Sequence, residues 1–282
     1  MSKRAARPST AQSPASGPAE IFMRRLLGRF TGASLVPWIF PTAIVIVWQL
    51  ACSYGIAPSN LLPTPTAVIM AGWRLTLTGE LPYNIGVSFC RAMGGLLLGG
   101  GIGFLLGLAN GLSHIVATLT DTTLQMLRNI PHLAMIPLVI LWFGVEEEAK
   151  LFLVALGVFF PVYLNTLHGI RSVDPRLVEM AKSYGVPTRD LVRLVVLPGA
   201  LPSFFVGLRY ALGVMWMTLI VSETIAAQSG IGYMAMQARE FMLVDVVVLS
   251  ILIYALLGKL ADVTARLLER RYLPWRLDLR RE

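Results

Sequence analysis

The chain has 282 residues, of which 55% are hydrophobic and 14% charged, with a formal net charge of +8 and a mean hydropathy of +0.67. Soluble domains average about 25% charged residues, and this chain instead repeats uncharged runs of about 20 residues, the length that crosses a bilayer as a helix. A soluble globular enzyme is excluded, as are a disordered chain and, with only two cysteines, a disulfide framework.

Residues 2–20 are Ser, Pro, Ala, Gln and Arg without periodicity, and they cannot bury enough apolar surface to fold. They predict a disordered basic tail over 1–35, closed by Arg24, Arg25 and Arg29. The first apolar run, 36–53, is too long and too aromatic for a signal-peptide core and reads as a retained first span. An outer loop then extends to residue 85. Further spans are predicted at 86–112, with Arg91 inside, and at 122–143, 149–167, 203–227 and 244–267. The core is thus 86–267, with a long loop at 168–202 and a cytoplasmic tail at 268–282. The fold class is an all-α polytopic membrane protein of six transmembrane helices.

Orientation follows from the basic residues. With the amino end inside, the cytoplasmic segments hold Lys3, Arg4, Arg7, Arg24, Arg25 and Arg29, then Arg171, Arg176, Lys182, Arg189 and Arg193, then Arg270, Arg271, Arg276, Arg280 and Arg281. The outer segments hold only Arg74, Lys150 and Arg239. That asymmetry places both termini in the cytoplasm. It also explains the positive charge by topology, so no nucleic-acid partner is expected.

The second span carries Gly95, Gly99, Gly103, Gly107 and Gly111, one every fourth residue. At helical spacing they line one face and let a neighbouring backbone approach closely, a packing signal silent on function. Pro131, Pro137 and Pro161 interrupt later spans and free backbone carbonyls that need other partners. Cys52 and Cys90 fall near outer span ends; a disulfide stays open, with buried thiols the favoured reading.

No catalytic centre is visible. A phosphate loop is missing, since Gly258-Lys259 is followed by Leu260, and no His-Glu-x-x-His or nucleophile elbow occurs. His114, His132 and His168 stand singly, so no metal site is expected.

The 168–202 loop is patterned. Asp174-Pro175 predicts a capped helix start; Leu177, Val178, Met180, Ala181 and Tyr184 follow at helical spacing, and Gly185 terminates the helix. A second stretch with Leu191, Leu194 and Val195 leads through Pro198 back to the membrane. Physics alone fits two readings: a knob that docks in a partner's groove, or an interfacial helix lying on the bilayer.

Glu179-Met180-Ala181, then Gly185 and, nine residues on, Val195-Val196-Leu197-Pro198 resembles the Glu-Ala-Ala loop of ATP-binding-cassette importer permeases of type I. Met180 and Val195 depart mildly from the family's Ala and Ile. The resemblance covers nearly everything beyond residue 36. Leu62-Pro63-Thr64-Pro65, the 136–144 run ending Trp142-Phe143-Gly144, Phe159-Phe160-Pro161 and Ser229-Gly230-Ile231-Gly232 are similar to the sulfonate, taurine and nitrate branch. The runs 125–134, 165–171 and 238–241 resemble aliphatic sulfonate permeases.

The resemblance implies a bacterial inner-membrane subunit without an ATPase site of its own, serving aliphatic sulfonate import and so sulfur assimilation. Residues near Asp174–Val186 would form a coupling helix seated in the groove of an ATPase subunit, with Asp174, Glu179, Ala181, Gly185 and, beyond the helix, Pro198 as the ATPase-coupling positions. That partner would use ATP and Mg, while this chain binds no cofactor. A periplasmic sulfonate-binding protein, a second permease copy and membrane lipid complete the implied partners.

A sulfonate is a permanent anion, so Arg91, Arg128 and Arg209 are candidates for its pathway. Charge within a span is costly without a partner or water, and the plainer reading of Arg128 and Arg209, near the cytoplasmic ends, is that they snorkel to lipid phosphates. Glu223, Lys259 and Asp262 read as structural, with Lys259 and Asp262 spaced to pair. Rival readings are the same role for taurine, nitrate or another small anion, a secondary transporter, and an intramembrane enzyme.

Overall fold

Thr64 opens the ordered core by capping a helix where the sequence predicts loop. Its hydroxyl accepts from the Ala67 N–H at 3.2 Å, and Pro65 supplies the preset φ of a first helical residue. The structure, a computed structural model, describes residues 36–274 apart from 57, 59 and 60. The expected tail 1–35 and the last residues of the carboxyl tail, 275–282, lie outside them. Two units form, Met1–Pro58 and Ser59–Glu282. In the first, α1 is Val36–Ser53, with Ile44, Val45, Ile46 and Val47 exposed as suits a helix surrounded by lipid.

The second unit begins with α2, Pro65–Leu77. A left-handed turn at Gly79 (φ +79°) then leads into α3, Glu80–Leu112. The expected outer loop is therefore largely helical. Next come α4, His114–Arg128, and α5, His132–Phe143, bent by 80° to each other. The sequence predicts one span over 122–143; the structure breaks it, because Pro131 offers no N–H and disfavours helical backbone at Ile130. The remaining helices are α6, Glu147–Arg171; α7, Pro175–Ser183; α8, Thr188–Ile225; α9, Ile231–Glu240; and α10, Val244–Tyr272.

Among the described residues, α3, α6, α8 and α10 are long and apolar enough to cross a membrane, and the α4–α5 pair makes a fifth crossing if it acts as one. α1 is a shorter apolar helix over Ile39–Ser53, and with it the count reaches the six helices that the sequence predicts for a polytopic membrane fold. Within each of the four long spans, only 22% to 44% of the most apolar stretch is buried in protein. The rest is outward-facing apolar surface, such as Leu97, Leu105, Leu141 and Met217. The solvent of this surface is lipid.

The centre of the unit is α6, packed between α3 and α8. Lipid gives helices no hydrophobic reason to associate, so contact depends on close approach and van der Waals packing. All five glycines of the α3 stripe face α6. A Cβ at Gly99 would overlap the Ala155 carbonyl; one at Gly103 would lie 2.6 Å from the Phe159 carbonyl oxygen, and one at Gly107 2.8 Å from that of Tyr163. A four-residue period drifts about 40° per step around a helix of 3.6 residues per turn. The wider π turn at Leu96–Gly100 offsets that drift and keeps the stripe on one neighbour. On the other side, Gly169 of α6 meets the Ala200 carbonyl of α8 in the same way, with 2.7 Å left for a Cβ.

The stripe yields a controlled prediction. Gly99→Ala should lose about 1–3 kcal/mol of stability through overpacking. Gly101→Ala, where a Cβ meets nothing within 4 Å, should be neutral or slightly stabilising. Thermal unfolding of the two variants in detergent, followed by monodispersity, separates them.

Candidate functional site

The α7 elbow is built by local sequence. Asp174 caps it, its carboxylate accepting from the Arg176 N–H at 2.9 Å, and Pro175 occupies the first helical position. At the other end Gly185 donates to the Lys182 carbonyl at 2.9 Å and Val186 to the Ala181 carbonyl at 3.1 Å, the paired bonds of a Schellman stop. Gly185 has φ +73° and open space around a would-be Cβ, so backbone strain alone calls for glycine there. Three apolar side chains at helical spacing are left outside: Leu177 at 48%, Met180 at 53% and Tyr184 at 83% exposure, while Ala181 is buried. Glu179 is exposed as well. This is a stiff, capped helix showing an apolar face without cover of its own.

The elbow joins two long helices directly. Ser172, whose hydroxyl donates to the Gly169 carbonyl at 2.9 Å, closes α6 three residues before α7, and Pro187 starts α8 four residues after it. Pro198 sits just past a π turn at Val192–Val196 in α8, where its missing N–H leaves the Leu194 carbonyl without the usual donor.

A second cluster centres on Glu223 of α8, 1% exposed. Its carboxylate accepts from the Ser88 hydroxyl at 2.8 Å, from Arg91 Nη1 at 2.9 Å, from the Tyr254 hydroxyl at 2.8 Å and from the Gly232 N–H at 2.9 Å. Asn84 Oδ1 accepts from the Gly230 N–H at 2.7 Å and the Ser88 hydroxyl from the Ile231 N–H at 2.9 Å. The start of α9 is thus capped by groups from α3 and α8, with a carboxylate at its positive end. Gly230, at φ +107°, lies so close to this carboxylate that a Cβ there would meet Glu223 Cδ at 2.5 Å. The Ser229-Gly230-Ile231-Gly232 segment is shaped by that contact.

Arg91 completes the cluster and corrects a sequence expectation. Its Nε and Nη2 grip both oxygens of Glu147 at 2.6 Å. Nη1 reaches Glu223 and, at 2.6 Å, the Ser229 carbonyl, and Nη2 reaches the Ser229 hydroxyl at 3.0 Å. A guanidinium has five N–H donors, and all five are used. Arg91 therefore has nothing left for a passing anion. Arg209 is also paired, with Asp262 at 3.1 Å, and Asp262 binds Arg266 as well. The expected Lys259–Asp262 pair is replaced by these two arginines. Cys52 is half-buried and Cys90 exposed, so neither is the fully buried thiol that the sequence suggests.

Arg128 is different. It is exposed at the end of α4, and no ion pair or hydrogen bond holds its guanidinium among the described residues. It lines a cavity of about 620 Å³ between α4, α5, α6 and α8, whose walls include Leu127, Trp142, Phe152, Leu156, Phe160 and Tyr210. His132 Nε2 is bonded to the Thr218 hydroxyl at 3.1 Å across the cavity's edge. No group of three or more His, Cys, Asp or Glu is placed to hold a metal among the described residues.

Sequence reasoning missed the role of Ser88, Tyr254 and the glycines at 230 and 232. One signal was present: a glutamate and an arginine at membrane depth each demand a partner, and Arg91 and Glu223 answer each other.

Comparison with known proteins places this geometry. Residues 99–274 match the family described as binding-protein-dependent transport system inner membrane component. A relative from Escherichia coli (strain K12), named as an aliphatic sulfonates transport permease protein, SsuC, is 58% identical over 241 residues, 86% of this chain and 92% of that protein. Its namesake from Bacillus subtilis (strain 168) is 43% identical over 84% of this chain and 86% of its own length. The taurine transport system permease protein TauC of Escherichia coli (strain K12) is 34% identical over 91% and 96%. Among solved structures, an amino acid ABC transporter with histidines superposes with a TM-score of 0.58 at 18% identity, covering 70% of this chain and 96% of that one. At that identity it shows the shared fold.

The Glu223 cluster predicts unequal losses. Glu223→Ala leaves a buried arginine short of a charge and should lose about 3–5 kcal/mol, read as absence of folded protein after solubilisation. Glu147→Gln, whose side chain is 54% exposed, should lose about 1–2 kcal/mol and remain purifiable.

Proposed function

The chain belongs to the family of binding-protein-dependent transport system inner membrane components, and from that premise we propose that it is the permease of an ATP-driven importer of aliphatic sulfonates. The cargo is supported by the relatives at 58% and 43% identity, both named for aliphatic sulfonates, against 34% for the taurine permease. In this reading two copies pair around a shared pathway in the bacterial inner membrane, with both termini in the cytoplasm. A binding protein delivers the sulfonate to the outer face, and each copy docks one ATPase subunit, which holds ATP and Mg²⁺. This chain supplies no cofactor site and no hydrolytic group.

The observation that carries the reading is the α7 elbow. Leu177, Met180 and Tyr184 are apolar, exposed and held on a helix capped at both ends, which is the form an anchor takes when it enters a partner's groove. An interfacial helix would also offer an apolar face to lipid, and a charge introduced on that face separates the two: a lipid-lying helix keeps its ATPase, a docked one loses it. Closure of the ATPases on ATP would move both elbows, and α6 and α8 would carry that movement as rigid bodies between inward- and outward-facing states.

Two expected outcomes test this. Met180→Glu should abolish co-purification of the ATPase. Gly185→Val should lower ATP-dependent ethanesulfonate uptake by about tenfold, since a left-handed backbone costs a branched residue about 1–2 kcal/mol; Arg176→Ala and Lys182→Ala should change it less than twofold. A strain lacking the gene should fail on ethanesulfonate as sole sulfur source and recover with it. Growth of the deletion strain restored on taurine alone would move the cargo to taurine and leave the permease role in place.

A further inference from the structure

We propose that the cavity beside Arg128 is a transit site for one alkylsulfonate, with its head group on the Arg128 guanidinium and its alkyl tail along the wall formed by Leu156, Phe152 and Phe160. The proposal rests on the importer reading above and adds to it a substrate site inside the permease.

Three observations converge. The first is the broken span: α4 and α5 are long and apolar enough to cross a membrane only together, bent by 80°, and Arg128 is the last helical residue before the break. Irregular backbone at membrane depth persists where it lines a cavity or is buried in protein, and broken helices are where membrane transporters place their ligands.

The second is charge. Of the three intramembrane arginines, Arg91 is saturated by Glu147, Glu223 and Ser229, and Arg209 is paired with Asp262. Arg128 keeps all its donors, and no carboxylate lines its cavity. Asp121 borders the adjoining recess, where Gln125 Nε2 donates to it at 2.7 Å. The Tyr210 hydroxyl lines the same cavity and, among the described residues, makes no hydrogen bond. A guanidinium and a phenol together offer donors to the three oxygens of a sulfonate, which stays charged across the physiological range.

The third is shape. At about 620 Å³ the cavity is in the range of small-molecule pockets, and its surface is mostly aliphatic and aromatic. An inorganic anion such as nitrate would leave that wall unused, whereas an alkyl tail fills it. The chemistry selected is an amphiphilic monoanion.

The test uses the purified permease–ATPase assembly without the binding protein, titrated calorimetrically with methanesulfonate and hexanesulfonate, and the full importer in proteoliposomes for uptake. Affinity should rise from methanesulfonate to hexanesulfonate by roughly fourfold per buried methylene. Arg128→Gln should weaken both by about tenfold or more, with Arg128→Lys in between. Leu156→Trp, which narrows the tail wall, should remove the gain in affinity from methanesulfonate to hexanesulfonate. Retained ATPase co-purification shows that each variant is assembled. Unchanged binding and uptake in assembled Arg128→Gln, in an importer that still moves ethanesulfonate, would overturn the site and leave the sulfonate function standing. An importer that moves nitrate and no sulfonate would overturn the cargo, and with it the tail wall.

Discussion

An arginine buried among membrane-spanning helices needs partners for its donors, and the Arg91 guanidinium finds them on three other segments. Glu147 comes from the start of α6, Glu223 from α8, and the Ser229 carbonyl and hydroxyl from the turn before α9, while Arg91 itself is on α3. Glu223 extends the set to Tyr254 of α10. Five helices are thus tied through one charge cluster. Buried ion pairs are weak evidence for added stability, because desolvation offsets attraction. Their value here is geometric: this arrangement of the helices satisfies every donor of Arg91.

The glycine contacts solve the complementary problem. Lipid is as apolar as leucine, so α3 and α6 gain little by hiding side chains from it. Backbone contact along Gly95, Gly99, Gly103, Gly107 and Gly111 gives many small dispersion terms at close range, and α8 approaches the other face of α6 at Gly169 and Gly207. The result is a stiff frame of α3, α6 and α8. Since α7 is strung between the end of α6 and the start of α8 by short, capped turns, any force on its apolar face reaches the frame without a flexible linker. The cavity opens beside the broken pair α4–α5.

Much of this was legible in the sequence, for physical reasons that differ by element. The long spans announce themselves because charge is excluded over about 20 residues, and the glycine stripe because its period matches one helix face. The elbow is written in Asp174, Pro175 and Gly185, each of which acts on its own neighbours. What the sequence hid is whatever depends on distant partners. Arg91 and Arg209 looked like equals of Arg128 until Glu147, Glu223 and Asp262 were seen beside two of them, 56, 132 and 53 positions away. The helices α2 and α9 were missed because 13 and 10 residues of mixed polarity carry too weak a periodic signal. The break at Pro131 was visible as a proline but not as an 80° turn, since proline in a membrane helix often leaves only a kink.

The central claim is that the elbow and the frame move together. Spin labels at Lys182 on α7 and at Arg239 on α9, both exposed, test it through the distance between them within one protomer of the assembled importer, measured without nucleotide and with ATP trapped. A distance distribution that stays the same while the complex changes state is the result expected of a rigid frame carrying the docked elbow. A shift of several ångströms within the protomer would contradict it.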